Sequence, residues 1–275
     1  MKPAPFRYHR PQSLDEALAL LAGLGADAKL IAGGQSLGPM MNMRLAQPAE
    51  LIDLNALPGL DGIRDHPDSL EIGALACHHT VASSPVVRKC CPLLAEAAQT
   101  IGHYAIRSRG TLGGSLAHAD PAAQLPLVAA TLGAEIAVVG PRGERRIAAG
   151  EFFVSLMTTA LEPDEILVSA RFPKTAPGER HAYAQFSRRR GDFALVAVAA
   201  TLSSRALRLG IGGAEDKPVL LTDTVAGGGP DPAALARKAR EAVHPVEDPR
   251  VPAVYRRELV EVLTRRALQK CLSSN

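Results

Sequence analysis

Apolar residues near the start of the chain recur with the period of a helix. The apolar positions are three or four residues apart: Leu14, Ala17, Leu18 and Leu21. Ser13 followed by Glu16 has the form of a capping box, and Gly23 or Gly25 supplies a stop. The pattern therefore predicts a short amphipathic helix that begins after Ser13.

Short apolar runs bounded by glycine, proline or asparagine predict strands over the next 120 or so residues. The runs are residues 29–32, 51–54, 70–74, 135–139 and 144–147. The last two flank Gly140-Pro141-Arg142-Gly143, which predicts a hairpin. Ser84 before Pro85 predicts a helix start, with Pro92 dividing that helix, and Asp120 before Pro121 predicts a second start with a helix through about Leu132.

The last hundred residues place their strand patterns before their helical patterns. Proline and charge over 173–179 indicate a boundary, strand-like runs follow at 194–202, 207–211 and 219–221, and helical patterns begin near Pro232 and Pro252. Segregation of this kind favours an α+β fold over a doubly wound sheet.

Composition narrows the classes of protein that these elements can form. The chain of 275 residues is 47% hydrophobic and 21% charged, and no apolar run approaches the roughly 18 residues of a membrane span. The first residues lack the apolar region of a secretory signal, so we expect a cytoplasmic protein. The four cysteines contain no C-x-x-C pair, which argues against a zinc or iron-sulfur site in this chain.

Charge and aromatic content argue against nucleic acid as a partner. The net charge is only +3, the aromatic content is 4%, and the one basic cluster is Arg188-Arg189-Arg190. We interpret that cluster as a solvated surface or a subunit contact.

Gly34-Gln35-Ser36-Leu37-Gly38 fits the G-x-S-x-G pattern of a hydrolase nucleophile elbow. That elbow requires a parallel sheet built largely before the serine, and only about thirty residues precede Ser36. The position therefore argues against a nucleophile.

Nucleotide and metal motifs of the common kinds do not occur in the sequence. Neither Gly210-Ile211-Gly212-Gly213 nor the run Gly227–Gly229 has Rossmann spacing, and no Walker A loop is present. On a strand, the adjacent His78 and His79 would point to opposite faces, so we expect a core or surface role for them. His103 and His118 flank the second glycine loop but have no ligand spacing.

Two glycine loops about eighty residues apart carry the remaining chemical signal. Gly33-Gly34-Gln35-Ser36 and Gly113-Gly114-Ser115 each combine a glycine pair with a serine. Glycine permits the dihedral angles that point consecutive backbone N–H groups into one concavity, and such nests bind phosphate. From the residues alone, phosphate nests and ordinary tight turns are equally good interpretations.

The residues around these loops resemble a known family, the FAD-binding medium subunit of molybdenum hydroxylases. This family includes the medium subunit of carbon monoxide dehydrogenase and the FAD domain of xanthine dehydrogenase. The matching stretches are KLIAGGQSL at 29–37, IRSRGTLGGS at 106–115, AHADPA at 117–122, GDFA at 191–194, YRREL at 255–259 and RRAL at 265–268.

The resemblance implies a fold of the vanillyl-alcohol oxidase and p-cresol methylhydroxylase type. We expect an FAD-binding domain over residues 1–175, made of two α+β subdomains at about 1–57 and 58–175. A smaller α+β domain of strands and then helices would follow over 180–275.

The resemblance also implies a non-covalent FAD site without catalytic residues or metal ligands of its own. The loops would wrap the FAD pyrophosphate, Asp120 would accept hydrogen bonds from the cofactor, and Phe193 would lie near the isoalloxazine. The implied cofactor contacts are Lys29, Ala32, Gly33, Gly34, Gln35, Ser36, Leu37, Ile101, Thr111, Gly113, Gly114, Ser115, Asp120, Leu161 and Phe193. The sequence at 183–186 departs from relatives with charged residues there, which leaves open what covers the redox edge of the flavin.

Two partners are implied as well: a large subunit with the molybdenum cofactor and a small subunit with [2Fe-2S] clusters, in a dimer of heterotrimers. The chain would then pass electrons from the clusters to an external acceptor. One alternative is a stand-alone flavin reductase, although the R-P-S-A-G-S type motif of UDP-N-acetylenolpyruvoylglucosamine reductase is missing. The other is a cofactor-free scaffold. The sequence names neither the substrate of the complex nor its acceptor, whether NAD, quinone or oxygen.

Overall fold

The first structural unit is a small parallel sheet with one long helix. The computed structural model describes residues 2–225 and 230–273, so the glycine run 227–229 lies outside the described residues. The elements in chain order are β1 (Arg7–His9), α1 (Leu14–Leu24), β2 (Ala28–Ile31), α2 (Leu37–Asn42) and β3 (Glu50–Asp53). The strands lie in the order β1-β3-β2, and both pairs are parallel.

The predicted first helix is confirmed together with its cap. The Ser13 hydroxyl accepts the backbone N–H of Glu16 at 3.2 Å, and the Glu16 carboxylate accepts the backbone N–H of Gln12 at 2.7 Å. Ala17 and Leu21 are buried on the face that packs against β3. The cap and the apolar face thus act together to fix this helix on the sheet.

The second unit is a five-stranded antiparallel sheet in the order β4-β5-β10-β6-β7 with helices on one face. Its strands are β4 (Ile63–Asp65), β5 (Ser69–Gly73), β6 (Glu135–Gly140), β7 (Gly143–Ala148), the small pair β8 (Phe153–Ser155) and β9 (Thr158–Thr159), and β10 (Ile166–Pro173). Its helices are α3 (His78–Ser83), α4 (Pro85–Cys90), α5 (Pro92–Gln99), α6 (Tyr104–Arg107), α7 (Leu112–His118), α8 (Gln124–Leu132) and α9 (Ala149–Phe152). The predicted hairpin is β6 and β7, with Gly140 opposite Gly143.

One of the two predicted helix starts in this unit is confirmed, and the other is displaced. The Ser84 hydroxyl accepts the backbone N–H of Val87 at 3.4 Å at the start of α4, and Pro92 begins a separate helix. The helix predicted from Pro121 instead begins at Gln124. Asp120 uses its carboxylate and its carbonyl to close a turn before α8, because these oxygens accept the N–H groups of residues 122 and 123 at 2.8 and 2.9 Å.

The strand considered for the histidine pair was wrong, because His78 begins α3. The sequence patterns also missed α2, the helical start at Leu112, and the long strand β10. Both short helices begin inside glycine loops, where glycine carries no helical signal.

The third unit has four antiparallel strands followed by two helices. The sequence predicted the last three strands and the two helices in this order, and it missed the first strand. These elements are β11 (Arg180–Phe186), β12 (Val196–Leu202), β13 (Ala206–Gly212), β14 (Val219–Thr224), α10 (Pro232–Glu241) and α11 (Ala253–Ser273). The strands lie in sequence order, each paired with the next.

Strand β12 is buried on both faces because two different units cover the sheet. Val198 and Ala200 belong to the core under α10 and α11, whereas Ala197 and Ala199 belong to the core of the second unit, where α8 packs on β12 and β13. All seven residues of the strand are buried. The third unit thus completes the core of the second.

Across residues 2–225 and 230–273, no helix is long and apolar enough to cross a membrane. The same residues contain no group of three or more His, Cys, Asp or Glu side chains arranged to hold a metal ion.

Candidate functional site

The first glycine loop leaves a row of backbone N–H groups without partners. It connects the edge strand β2 to α2, and no acceptor in the described part of the chain receives the N–H groups of residues 33–36. The loop is half-buried along its length. Because buried or half-buried amides rarely stay unpaired, these four donors indicate a place for an external acceptor.

The loop conformation explains how these N–H groups stay free. Gly34 has a φ of +66°, in the left-handed region where glycine carries no steric penalty. Ser36 has helical dihedral angles of −108° and −53°, and its hydroxyl makes no capping hydrogen bond. The Gln35 side-chain amide donates to the Gly33 carbonyl at 2.8 Å, which ties the loop to itself. The result has the character of an anion-binding nest.

The same geometry does not provide a nucleophile at Ser36. Among the described residues, no histidine forms a hydrogen bond with its hydroxyl. Its sheet has three strands with β2 at the edge, rather than the central position of a hydrolase elbow.

The second glycine loop has already used its N–H groups within the protein. Leu112 and Gly113 donate to the carbonyls of Ala76 and Ala74 at 2.9 and 2.8 Å. Gly114 donates to the Thr111 hydroxyl at 3.1 Å, which is the N-cap bond of α7. The loop is therefore the first turn of a helix braced against the sheet, which differs from the open nest of the first loop.

The buried side chain of His78 supports the second loop through a hydrogen bond to Thr111. Its Nε2 lies 2.9 Å from the Thr111 carbonyl, which can only accept, so Nε2 carries the proton. Burial lowers the pKa of His78 to about 4, and the ring is neutral near pH 7. Its Nδ1 is buried without a partner among the described residues. His78 is thus a buried supporting residue, in agreement with the core role considered for it.

The two loops meet through the residues just before the second one. A Cβ atom on Gly33 would overlap the Arg109 carbonyl, at 2.6 Å from its carbon, and would lie 2.8 Å from the Gly110 Cα. The site prediction omitted Arg109 and Gly110, although the extra glycine before Thr111 was a signal for such a close approach. The nest therefore has a wall made of backbone from the second unit.

Asp120 and Phe193 both lie close to the contact between the second and third units. Gly213, with a φ of +77°, donates to the Pro121 carbonyl at 2.8 Å, next to Asp120. A Cβ on Gly213 would lie 2.7 Å from the Leu195 carbonyl, two residues beyond Phe193. Phe193 is 58% exposed, so its ring is available to a ligand.

The other predicted contacts are spread around these features. Ala32 and Leu37 flank the nest, Gly114 and Ser115 lie in the first turn of α7, and the Ser115 hydroxyl has no partner among the described residues. Lys29 is exposed on β2. Ile101 and Leu161 pack half-buried against the large core of the second unit.

Gln185 joins the two units beside Ile101 and was not predicted as a site residue. Its Oε1 accepts from the Tyr183 hydroxyl at 2.8 Å, the Thr100 hydroxyl at 3.2 Å and the Gln124 amide at 3.3 Å. A glutamine here accordingly fixes the end of α5 and the start of α8 on β11.

Taken together, these residues fit a dinucleotide better than a hydrolytic or metal-dependent site. Four free N–H groups and a serine hydroxyl offer donors for phosphate oxygens, and a Cβ at Gly33 would fill the space beside them. An arrangement of this kind binds and orients a phosphate-containing cofactor, and the cofactor then supplies the redox chemistry.

Comparison with known sequences defines the class as the flavoprotein component of an oxidoreductase. Residues 4–175 match the family described as the FAD binding domain in molybdopterin dehydrogenase. Residues 181–271 match the CO dehydrogenase flavoprotein C-terminal domain. The chain belongs to this family of FAD-binding medium subunits of molybdenum hydroxylases, as its resemblance implied.

Two relatives and one solved structure illustrate how much of the chain matches. It is 38% identical, over 99% of its length and 96% of the relative, to the 6-hydroxypseudooxynicotine dehydrogenase complex subunit alpha of Paenarthrobacter nicotinovorans. It is 44% identical to the carbon monoxide dehydrogenase medium chain of Hydrogenophaga pseudoflava, over 74% of this chain and 70% of the relative. A solved structure of carbon monoxide dehydrogenase from H. pseudoflava, which lacks the Mo-pyranopterin moiety, superposes with a TM-score of 0.94 at 36% identity and covers 99% of both chains.

Proposed function

We propose that this chain is the electron-transfer subunit of a molybdenum hydroxylase, in which it passes electrons from the iron-sulfur clusters of a partner subunit to an external acceptor. The observation that carries the proposal is the row of unpaired N–H groups at residues 33–36, in a chain whose family binds FAD. When bound, FAD supplies the redox chemistry, and the chain supplies binding and orientation.

In this proposal the first loop is the main holder of the pyrophosphate. The N–H groups of residues 33–36 and the Ser36 hydroxyl would donate to phosphate oxygens, with Ala32 and Leu37 beside them. From the second loop, the Ser115 hydroxyl and the exposed backbone of Gly114 would face the cofactor, while Thr111 and Gly113 hold that loop in place. Asp120 would accept from the cofactor.

The remaining predicted contacts belong to the proposal in the same way. Phe193 would lie near the isoalloxazine, and its exposure and its position at the unit junction support this role. Lys29, Ile101 and Leu161 would complete the site. The division into residues 1–175 and 180–275, with a further division near 57, is supported by the three larger sheets, one in each unit.

The partners are proposed from the kind of relatives that the chain has. The first of these relatives is a subunit of a dehydrogenase complex, and the structural relative is a carbon monoxide dehydrogenase that lacks the Mo-pyranopterin moiety of its molybdenum cofactor. We infer a large subunit with the molybdenum cofactor, a small subunit with [2Fe-2S] clusters and a dimer of heterotrimers in the cytoplasm.

Flavin binding is tested first on the purified full-length chain. The chain should retain or take up FAD, seen as flavin absorption that stays with the protein through gel filtration. A chain that cannot be loaded with FAD would contradict the proposal and favour the cofactor-free scaffold.

Electron transfer is tested on the purified complex, with and without FAD. Dithionite reduces the iron-sulfur clusters directly, and their reoxidation by an added dye acceptor is followed by electron paramagnetic resonance. Reoxidation should be much slower in the FAD-free complex. Equal rates would contradict the proposed role, whereas rapid NADH oxidation by the isolated chain would favour the stand-alone flavin reductase.

A further inference from the structure

A side chain from outside the first glycine loop holds the back of the nest at residues 33–36. Strands β2 and β3 run parallel, with Ile31 opposite Asp53, so the residues that follow the two strands meet at the same edge of the sheet. There the Asn55 side-chain amide donates to the Ala32 carbonyl at 2.9 Å. Ala32 is the residue immediately before the nest, whereas Asn55 was not predicted as a site residue.

The peptide unit between Ala32 and Gly33 carries this contact into the nest. A peptide bond is planar and trans, so its C=O and N–H groups point in opposite directions. A donor that fixes the Ala32 carbonyl on one side therefore fixes the Gly33 N–H on the other side, where it has no partner among the described residues. The same hydrogen bond polarises this N–H group, which makes it a better donor to an anion.

The next two carbonyls of the loop are held in a similar way. The Gln35 side-chain amide donates to the Gly33 carbonyl at 2.8 Å, and the Gly34 carbonyl accepts the first backbone hydrogen bond of α2 at 2.9 Å. Three consecutive peptide units thus have their carbonyls bound within the protein, while their N–H groups find no partner in residues 2–225 and 230–273. Donors that are oriented in advance bind an anion more tightly, because less ordering is needed on binding.

Asp53 in turn fixes the orientation of the Asn55 side chain. Its Oδ1 accepts the backbone N–H and the side-chain amide of Asn55, at 2.9 and 2.6 Å. Its Oδ2 accepts the Tyr8 hydroxyl from the edge strand β1. The Asp53 carboxylate and the Ala32 carbonyl can only accept, so the amide nitrogen of Asn55, with its two protons, faces both of them.

We propose that Asn55, oriented by Asp53, is a positioning residue for the nest and sets the direction of the Gly33 N–H toward the cofactor phosphates. The inference rests on the proposed function, because it takes the nest as the holder of the FAD pyrophosphate. It goes further by assigning part of the affinity to two side chains that act through the Ala32 carbonyl rather than through contact with the cofactor.

The test measures phosphate binding by the purified chain after FAD has been removed. Quenching of flavin fluorescence gives the dissociation constant for FAD, and isothermal titration gives the constant for inorganic pyrophosphate. Asn55→Ala should raise both dissociation constants about fivefold, the loss expected for one hydrogen bond. Asn42→Ala is the matched control, because it shortens the same kind of side chain at the exposed C-terminal end of α2. In this control both constants should change less than twofold.

A backbone NMR signal separates positioning from direct contact. In the FAD-free chain, isotope-labelled at its glycine nitrogens, Asn55→Ala should shift the Gly33 amide resonance, because the carbonyl of the same peptide unit loses its hydrogen bond. Asn42→Ala should leave this resonance in place. Weaker FAD binding without a shift of the Gly33 resonance, or without weaker pyrophosphate binding, would make Asn55 a direct cofactor contact and overturn the proposal.

Two variants of Asp53 test its part in the arrangement. Asp53→Asn keeps an acceptor oxygen for Asn55, whereas Asp53→Ala removes it. Asp53→Asn should therefore retain most of the FAD affinity that Asp53→Ala loses, and equal losses would overturn the role of Asp53. Unchanged FAD and pyrophosphate binding in Asn55→Ala would overturn the whole inference. A chain that binds pyrophosphate but not FAD would contradict the proposed function alone, because Asn55→Ala and Asn42→Ala can still be compared on pyrophosphate.

Discussion

The two glycine loops share a glycine pair and a serine but differ in where their backbone N–H groups go. In residues 33–36 the N–H groups have no partner among the described residues, whereas those of residues 112–114 donate to Ala76, Ala74 and Thr111. Similar residues therefore form an open surface of N–H donors in one loop and a helix start braced by hydrogen bonds in the other. The difference shows that a glycine pair provides conformational freedom, and the surrounding structure decides how it is used.

The largest expected effect on FAD binding comes from closing the space beside the open loop. Gly33→Ala places a methyl group against the Arg109 carbonyl. This carbonyl belongs to the backbone and cannot rotate away as a side chain could. We expect FAD affinity to fall by a factor of about ten or more, since an overlap of this kind forces the backbone to move. Flavin absorption after gel filtration measures the loss.

Gly38→Ala, just after this loop in the first turn of α2, is the control. A Cβ at Gly38 meets nothing within 4 Å, so this variant should retain FAD. If both variants kept FAD equally, the nest would not be the binding surface.

The second glycine loop, which is braced within the protein, is tested by the pH dependence of the unfolding free energy rather than by FAD binding. Burial lowers the pKa of His78 to about 4, while histidine in the unfolded chain titrates near about 6.5. Between these values the unfolded chain binds the extra proton, so the free energy of unfolding falls as the pH drops from about 6.5 to about 4 and changes no further from this residue below that. The full loss is about 3 kcal/mol.

His78→Gln should make the pH dependence of the unfolding free energy shallower, measured by urea denaturation at several pH values. His79→Gln, a change at the exposed neighbour, should leave the slope as it is. A slope unchanged by His78→Gln would mean that His78 is not the group responsible.

The packing of the second loop against Ala74 is tested by adding a methyl group at that contact. A Cβ on Gly113 would lie 2.5 Å from the Ala74 Cβ, so Gly113→Ala should lower the unfolding free energy by about 1 to 3 kcal/mol. Gly114 is exposed, and a Cβ there comes close only to the Thr111 hydroxyl, at 2.8 Å. Thermal unfolding of Gly114→Ala should therefore show a smaller shift. A larger stability loss in Gly114→Ala than in Gly113→Ala would contradict the proposed bracing of this loop against Ala74.

The smallest effect is expected at the serine of the open loop. Ser36→Ala removes one hydroxyl donor and leaves four N–H groups, so FAD affinity should fall about fivefold, or about 1 kcal/mol. Ser108→Ala, whose hydroxyl already donates to the Ala105 carbonyl at 3.2 Å, should bind FAD normally. Loss of an esterase activity in Ser36→Ala would revive the nucleophile hypothesis.

The sequence predicted the elements with strong periodicity and missed those that depend on distant contacts. The helix after Ser13, the hairpin at 135–147 and the strands before helices in the last hundred residues all follow from local patterns, and they are confirmed. The helix start at Leu112 depends on its bonds to residues 74 and 76, which no local pattern contains. The site residues stay a prediction, and the inequality of the two loops could not be inferred because it depends on which amides meet partners from elsewhere in the chain.

The double burial of β12 has a consequence for how the protein can be divided. One face of its sheet carries Val198 and Ala200 under α11, and the opposite face carries Ala197 and Ala199 under α8. Cutting the chain between β10 and β11 would expose apolar surface on both fragments, and neither would be expected to stay monodisperse. The backbone amides of β12 should also be among the slowest in the molecule to exchange with deuterium, because they open only when both units come apart.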